Sequence, residues 1–311
     1  MTRPRRHIPG QLVMLTRRCL HRRYLLRPDN WINSVVPFEI GRASTNHGLS
    51  IHAVMTMSNH IHTMATDSDA SRSEFMRDVM REISKARNRH LGRTDSLWDG
   101  RPFDETIILD REAIERKLLY VWLNPVRAGL VRRAEDWPGF KILPRHWGKT
   151  FKVECPSQVG YYGRYSPEVV EFTPQPPPGY DEMSLEEVRE HFEELLREAE
   201  DEILEERRGK SIAGPKKIRA TDPFSSPETE DSRGSTGPRF ASKNAELQSR
   251  ANARYNQFLS DYEKQRQRWV KGKAQVRFPA GTVWLRKCTP CRCREVDDAE
   301  PGLFCSGAPP G

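Results

Sequence analysis

Two histidines one residue apart are the sharpest chemical feature of the sequence. They lie in the run Asn59-His60-Ile61-His62, between two extended apolar segments that only Ser58 and Asn59 separate. Because side chains alternate between the two faces of a strand, His60 and His62 point the same way while Ile61 faces the core. Two imidazoles on one face can share a divalent cation. The alternative is a pair of surface or hydrogen-bonding histidines, and the spacing alone does not decide between the two.

A tyrosine and an asparagine, four residues apart, form the second candidate group. Tyr120 and Asn124 share one face of a predicted helix with Arg116 and Arg127. Such a face could combine a nucleophile, a metal ligand and two phosphate clamps. The alternative is the commoner fate of a tyrosine, a partly buried ring whose hydroxyl makes a hydrogen bond. Pro125 disfavours helical backbone at Asn124, so we expect the helix to end there.

The segments around these residues alternate between strand and helix patterns. The helix predicted at 71–90, for example, carries Phe75, Val79 and Ile83 in one apolar stripe. The order βαββαβ followed by a helix indicates an α+β fold of the ferredoxin-like kind, an antiparallel sheet with helices on one face and the other face open for a site. We predict strands at residues 11–16, 49–57, 60–66 and 103–109, and helices at 28–45, 71–90 and 110–123.

Basic residues are concentrated near the N-terminus. The formal net charge is +8, and residues 1–35 contain eight arginines against one acid, Asp29. Guanidinium groups attract phosphate backbones, because each presents a planar fork to two oxygens and its binding releases counterions. The alternative is a merely solvated basic surface. The candidate nucleic-acid contacts, besides Arg116 and Arg127, are Arg17, Arg18, Arg22, Arg23, Arg81 and Lys85.

The composition changes after about residue 150. A chain of 311 residues with 30% charged residues and a mean hydropathy of −0.76 allows one good core and a second, smaller unit. We predict that residues 1–150 form the unit that carries the chemistry. A proline-rich connector at 151–182 follows, and then a helical accessory region at 183–311 with a disordered stretch at about 213–239.

The cysteine content and the hydropathy indicate the compartment. No apolar run approaches the roughly 20 residues that a membrane helix needs, so we expect a cytoplasmic protein with no membrane partner. Six cysteines in such a chain argue against a disulfide framework. Four of them, Cys288, Cys291, Cys293 and Cys305, could instead form a zinc site, and the alternative is an unstructured chain end.

Several motifs together resemble one family of DNA-processing enzymes. The run VMTMSNHIH at residues 54–62 is similar to the HUH strand of the IS200-like (Y1) transposases. Tyr120 followed by NPVRAGLV at 124–131 is similar to the catalytic-helix motif of one branch, the REP-associated tyrosine transposases. LWD at 97–99 and EDWP at 135–138 match further positions of that branch. The resemblance spans about residues 11–140.

The resemblance implies a transposase or endonuclease that cuts and rejoins single-stranded DNA through a 5′-phosphotyrosine intermediate. Tyr120 would be the nucleophile, His60 and His62 would bind Mg²⁺ or Mn²⁺, and Asn124 would be the third ligand. The substrate would be single-stranded or hairpin DNA, in which the scissile phosphate is accessible. Some relatives share catalytic helices across a dimer, so the resemblance also allows a homodimer in which Tyr120 serves the partner's metal.

The rival hypothesis is a non-catalytic, domesticated protein that binds a particular nucleic-acid sequence or hairpin. Such a protein is expected to have lost a catalytic residue, whereas Tyr120, His60 and His62 are all present. An RNA-binding sheet would expose aromatic residues on its central strands, and the strand predicted at 60–66 has none. A metallohydrolase is a third hypothesis, but no further histidine or acid is suitably spaced for it.

Overall fold

The structure, a computed structural model, describes residues 4–156, 162, 166–228, 238–273 and 275–296. Strands and helices alternate in its first part in the predicted order, and shorter elements follow. The strands are β1 (Gln11–Arg18), β2 (Leu49–Thr56), β3 (His60–Asp67), β4 (Asp104–Ile108), β5 (Lys141–Ile142), β6 (Phe151–Glu154), β7 (Val169–Phe172), β8 (Phe240–Ala241), β9 (Arg277–Phe278) and β10 (Arg292–Cys293). The helices are α1 (Asn30–His47), α2 (Arg72–His90), α3 (Arg111–Trp122), α4 (Asn124–Arg127), α5 (Leu185–Glu206), α6 (Gly214–Ala220), α7 (Ala245–Val270) and α8 (Val283–Cys288).

Six strands form the main sheet, in the order β5-β2-β3-β1-β4-β8. β1 is antiparallel to both of its neighbours, β3 and β4, and β2 is antiparallel to β3. The short strand β8 pairs with β4 in parallel. The predicted tight connection between β2 and β3 is confirmed, because the Met57 N–H donates to the His60 carbonyl oxygen across it. The chain therefore has a mixed α+β fold with a mainly antiparallel sheet.

One face of the sheet is covered by α1 and α2. The α2 stripe predicted from the sequence, Phe75, Val79 and Ile83, is buried in this layer. Val13 and Leu15 of β1 point into the same hydrophobic cluster. This face supplies stability behind the strands, because buried apolar area contributes roughly 25 cal/mol per Å².

The opposite face is also covered, by α3 and α5, so the prediction of helices on one face only is wrong. Met14, Met55 and Met64 lie on this second face and pack in one cluster with apolar residues of α3 and α5. The physical reason is that the central strands are apolar on both faces, as in sheets that helices enclose. The site therefore lies beside a helix rather than on an open sheet.

The region after residue 150 is part of this packing. Val188, Phe192 and Leu196 of α5 share a cluster with the residues of α3. On the other face, Tyr255 and Phe258 of α7 share the cluster of α1 and α2. The two long tail helices thus cover different faces of the sheet, and they do not pack on each other as a separate accessory unit.

Two predicted irregular stretches contain regular structure. Within the predicted connector at 151–182, β6 and β7 form an antiparallel hairpin, and Phe172 is buried against α1. Within the stretch predicted as disordered, α6 is a helix whose Ile218 is buried, so the prediction is wrong there. Residues 229–237 of that stretch lie outside the described residues. No described helix is long and apolar enough to cross a membrane.

Helix termini at α3 and α4 fix the candidate nucleophile and ligand. The Asp110 carboxylate caps α3 by accepting a hydrogen bond from the Ala113 N–H at 2.8 Å. α3 ends at Trp122, as Pro125 predicts, but a second, one-turn helix begins at once with Asn124. Gly129 then ends the turn with a φ of +67°, a left-handed conformation that favours glycine.

Candidate active site

The histidine pair lies at the start of β3, directly after the tight connection from β2. The two rings are neighbours, as the alternation of strand side chains predicts, with centroids 4.6 Å apart and planes at 79°. His60 is opposite Arg18 in the register with β1, and His62 is opposite Thr16. Both imidazoles belong to the face that α3 covers.

Hydrogen bonds to Nδ1 orient both rings. His60 Nδ1 lies 2.7 Å from the Asn59 side-chain oxygen, which only accepts, so this nitrogen carries the proton. His62 Nδ1 lies 2.7 Å from Thr16 Oγ1, while its Nε2 lies 3.1 Å from the Asn124 amide nitrogen, which only donates. Both rings are therefore assigned the tautomer that leaves a lone pair on Nε2. Such partners on Nδ1 are the usual support of a metal-binding histidine.

Both histidines are neutral at ordinary pH. Burial lowers the pKa of His60 to about 4, and the nearby cations Arg18 and Arg22 act in the same direction. A hydrogen bond with Asn124 partly opposes this decrease. Burial also holds the pKa of His62 well below its usual range, with further contributions from His60, Arg18 and Lys117. Neutral imidazoles are the form that binds a metal ion.

Tyr120 lies beside the histidine pair. Its ring centroid is 5.4 Å from that of His62, with the planes at 73°. Three other residues of α3, Ile114, Leu118 and Trp122, are buried in the core at helical spacing, and this places Tyr120 on a different side of the helix. Tyr120 is 38% exposed, which is unusual for so large a side chain in this protein. Part of this side chain is therefore accessible from solvent.

Asn124 completes the group from the first residue of α4. Its side chain contacts His62 directly and also hydrogen-bonds to His60. Rotating the carboxamide by half a turn would present its oxygen instead of its nitrogen, and the two atoms are not distinguished by shape. Two neutral imidazole nitrogens and one amide oxygen are donors that suit a divalent cation. The structure thus brings together the four predicted residues that come from two distant parts of the chain.

Two of the predicted cations lie close to the histidines. Arg18 and Arg22 are near enough to His60 to lower its pKa, and the Arg22 carbonyl accepts from the Asn59 amide at 3.2 Å. Arg17 has another role, because its guanidinium donates to the carbonyl oxygens of Asp99 and Arg101. Arg23 is half-buried in the same loop.

The remaining predicted cations divide between the two faces of the sheet. Arg116 and Arg127 are exposed on α3 and α4, the helices that carry Tyr120 and Asn124. Arg81 and Lys85 lie on α2, behind the opposite face, where each pairs with Glu82. The structure therefore does not bring these last two cations to the site.

Two functional candidates were missed in the sequence. Lys117 Nζ is 5.6 Å from the centroid of the Tyr120 ring, and three-residue helical spacing could have indicated this contact. Burial and the neighbouring Arg116 lower the pKa of Lys117. Thr16 orients His62, but only the register of β1 with β3 reveals this role, and register is a tertiary property.

The C-terminal cysteines do not form a described metal site. Cys288, Cys291 and Cys293 lie in the described part of the chain, whereas Cys305 lies outside it. Among the residues that the structure describes, no group of three or more His, Cys, Asp or Glu side chains is placed to hold a metal ion. The zinc hypothesis therefore gains no support from the described cysteines.

Comparison with known proteins finds relatives that carry the name of the family that the motifs resemble. No family model matches the chain. A protein from Haemophilus influenzae named as a REP-associated tyrosine transposase is 28% identical over 107 residues, which cover 32% of this chain and 60% of that protein. A solved structure of a REP-associated tyrosine transposase bound to a REP hairpin shares 23% identity. It covers 47% of this chain and 85% of the solved chain, with a TM-score of 0.39, too low to establish a common fold. The resemblance to the REP-associated tyrosine transposases is thus confirmed by the curated relative of that name, of which the chain spans about 60%.

Proposed function

We propose that this protein is a metal-dependent tyrosine transposase that cleaves and rejoins single-stranded DNA. The observation that supports this most directly is the placement of Tyr120 beside the histidine pair, with both histidines hydrogen-bonded to Asn124. A nucleophile and a ready donor set meet at one accessible point. The similarity to the curated relative supports the same reaction class.

The donor set of His60, His62 and Asn124 would hold Mg²⁺ or Mn²⁺. Their fit rests on the Nε2 lone pairs: that of His60 follows from the proton on its Nδ1, and that of His62 accepts from the Asn124 amide, which a bound cation would displace. A bound cation would supply Lewis-acid polarisation of the scissile phosphate. Thr16 and Asn59 are positioning residues in this proposal, because they hold the two imidazole rings in the binding tautomer.

Tyr120 carries out the covalent step. Its hydroxyl oxygen forms a bond to phosphorus while the bond from phosphorus to the 3′ oxygen breaks. The phenolic oxygen loses its proton, and the departing 3′ oxygen gains one. The products are a 5′-phosphotyrosine and a free 3′-hydroxyl. Attack by another 3′-hydroxyl reverses these bonds and joins strands without an external energy source.

The strand arrangement and the charges support this assignment. The order β2-β3-β1-β4, with α1 and α2 as crossovers, is the one expected of a ferredoxin-like platform. Arg18 and Arg22 on one side of the site, and Arg116 and Arg127 on the other, would position the phosphates of single-stranded or hairpin DNA. Tyr120 lies beside the histidines of its own chain, which supports action in cis, and the homodimer stays a prediction.

An adduct assay tests the proposal. Randomised single-stranded oligonucleotides, labelled at either the 3′ or the 5′ end, are incubated with the protein and Mn²⁺. A 5′-phosphotyrosine requires the 3′ label to become attached to the protein and the 5′ label to leave on a fragment ending in a 3′-hydroxyl. Mass spectrometry should locate the adduct at Tyr120.

The variant Tyr120→Phe removes the hydroxyl and keeps the ring, so folding and DNA binding should survive while the adduct disappears. Tyr262→Phe, at a half-buried tyrosine of α7 behind the opposite face of the sheet, is the matched control and should form the adduct normally. An adduct on a different residue would refute the choice of nucleophile. DNA binding without any adduct in the wild type would favour the non-catalytic binding protein instead.

A further inference from the structure

A second cationic surface lies in the C-terminal part of the chain, apart from the tyrosine site. It is a cavity of about 780 Å³ between the end of α7 and the β9–β10 pair. Three of its described lining residues are cations, namely Lys273, Arg277 and Arg292. None of the described lining residues is an acid. The remaining lining is mainly small or apolar. Such a composition suits an anionic partner rather than an apolar one.

The two arginines of this cavity are direct cross-strand neighbours. β9 and β10 are parallel, and Arg277 is in register with Arg292. Both side chains are exposed. Like charges placed opposite each other destabilise a strand pair, and an anion bound between them would remove that cost. A guanidinium pair with this geometry is suited to the oxygens of a phosphodiester.

An exposed tryptophan borders the same cavity. Trp269 is 44% exposed at the last turn of α7. Its ring packs edge-on against the buried Phe278, with centroids 6.3 Å apart, which restrains the indole while leaving part of it accessible. An aromatic platform beside cations is the combination with which proteins bind unpaired bases and their backbone.

We propose that this cavity binds an unpaired stretch of nucleic acid, with Trp269 stacking on a base and Lys273, Arg277 and Arg292 contacting phosphates. The proposal is independent of the tyrosine chemistry, because it rests on none of the residues of that site. It assigns a role to a part of the chain that shows no similarity to the quoted motifs. We call Trp269, Lys273, Arg277 and Arg292 the distal surface.

The distal surface is anchored at the far end of the sheet from the histidines. The His7 N–H donates to the Gly281 carbonyl oxygen, and Lys287 pairs with Glu74 at the start of α2. These contacts lie where β1 begins, whereas His60 pairs with Arg18, where β1 ends. At about 3.3 Å per residue, β1 separates the two ends by roughly 23 Å. One nucleic-acid molecule that contacts both places must therefore span more than the scissile nucleotides.

Salt-dependent binding tests the proposal on the full chain. The probe is fluorescent dT20, and Tyr120→Phe is present throughout to prevent covalent trapping. We expect Lys273→Gln, Arg277→Gln and Arg292→Gln together to reduce the slope of log K against log salt by about 2, since each phosphate contact contributes about 0.7 for single strands. The affinity at low salt should fall about tenfold or more. Trp269→Ala should weaken binding about fivefold or more, and Trp269→Phe should retain most of it.

A charge-matched variant provides the control. Lys152→Gln, Arg208→Gln and Lys243→Gln together remove three exposed cations that each pair with an acid elsewhere, and they should leave the slope unchanged. Arg277→Lys with Arg292→Lys keeps the charge and should bind nearly as well as the parent. Circular dichroism melting checks that every variant is folded. If the lysine variant binds like the parent while the glutamine variant does not, the weaker binding comes from lost charge and not from a folding defect.

Two results would overturn the proposal. One is an equal slope for the distal-surface variant and the charge-matched variant. The other is competition by poly-glutamate as effective as that by dT20 at equal charge, which would mean a general polyanion site. The adduct assay on proteins with Tyr120 intact keeps the two proposals apart. If the distal-surface variant binds dT20 more weakly but still forms the adduct, both proposals are supported. If the variant binds dT20 more weakly and neither it nor the wild type forms an adduct, only the proposed tyrosine reaction is contradicted.

Discussion

At the scale of single residues, the site depends on groups that touch no substrate. Thr16 and Asn59 each contact one Nδ1 atom, of His62 and His60 respectively, and so turn the Nε2 atom of each ring away from that partner. Without them, either ring could flip or change tautomer, and a metal ion would have to select among several arrangements. The preorganisation of these rings is therefore a property of the β1–β3 register as well as of the histidines themselves.

The histidine pair gives the first prediction at this scale. His60→Ala or His62→Ala should abolish Mn²⁺-dependent nicking and weaken Mn²⁺ binding by at least tenfold, because each removes one of two nitrogen ligands. Single-strand DNA binding should remain largely intact. Isothermal titration with Mn²⁺ measures the first effect and a gel shift the second. His47→Ala, at a histidine that pairs with Asp78 away from the site, is the control. Unchanged Mn²⁺ binding in a variant that combines His60→Ala with His62→Ala would contradict the metal-site proposal.

The neighbours within each candidate group could be predicted from the sequence because their spacing is local. His60 and His62 follow from the alternation of a strand, and Tyr120 and Asn124 follow from helical spacing and the resemblance. The contact between the two pairs could not be derived from either period, because it depends on α3 crossing the sheet. Arg81 and Lys85 were misplaced for the same reason, since an exposed helix face does not reveal which side of the sheet it covers.

At the scale of elements, α5 supports the helix that carries the proposed nucleophile. Its Phe192 lies edge-on to Trp122, with centroids 6.0 Å apart, and to Trp147 at 5.3 Å. Trp122 is two residues after Tyr120 on α3. The sequence predicted a helical region at 183–311, but its composition does not indicate that the apolar residues of α5 complete the core beneath the candidate site.

Phe192→Ala is the prediction at this scale. Removing a fully buried ring from this aromatic cluster should lower the free energy of unfolding by about 3–5 kcal/mol, through lost transfer energy and a residual cavity. Adduct formation should also slow, because α3 loses its support. Phe224→Ala removes the same ring at a position that is 46% exposed and should cost less than about 1.5 kcal/mol. Urea unfolding measures both, and equal losses would show that α5 does not support the core.

At the scale of the whole molecule, buried neutral histidines couple stability to pH. His52 is buried in β2, where Nδ1 lies 2.9 Å from the Gln175 carbonyl oxygen and Nε2 lies 2.8 Å from Thr66 Oγ1. Burial lowers its pKa to about 4. Because an unfolded histidine has a pKa near 6.5, the unfolded state binds more protons between these two values.

The sign of the pH effect follows from this difference. The contribution of His52 is fully present above pH 6.5 and is lost as the pH falls from 6.5 towards 4, by about 3 kcal/mol in total. Urea unfolding at pH 7 and pH 4.5 should show this loss in the wild type. His52→Gln removes this one titration and should make the dependence less steep, while the other buried histidines keep their own contributions. A dependence of the same steepness in the His52 variant would contradict the assignment.

Truncation gives the last prediction, and the structure reverses what the sequence suggested. The composition change near residue 150 predicts that residues 1–150 fold alone. Such a chain would lack α5, β8 and α7, which cover parts of both faces of the sheet and extend it by one strand. Removing three buried side chains of α5 alone, Val188, Phe192 and Leu196, exposes the apolar residues beneath them. At roughly 1.5–3 kcal/mol for each buried side chain, the loss is comparable with the whole stability of a typical domain.

We therefore expect residues 1–150 to lack a cooperative unfolding transition and to form no tyrosine adduct. A chain of residues 1–228 restores α5 and α6 on the face of the site, so it should recover part of both properties, while the full chain has both. Circular dichroism melting and the adduct assay on the three lengths provide the measurement. If residues 1–150 melt cooperatively and form the adduct at the full-length rate, the tail does not support the active site. If they fold but never form the adduct, the tail acts on the geometry around Tyr120 rather than on the stability of the sheet.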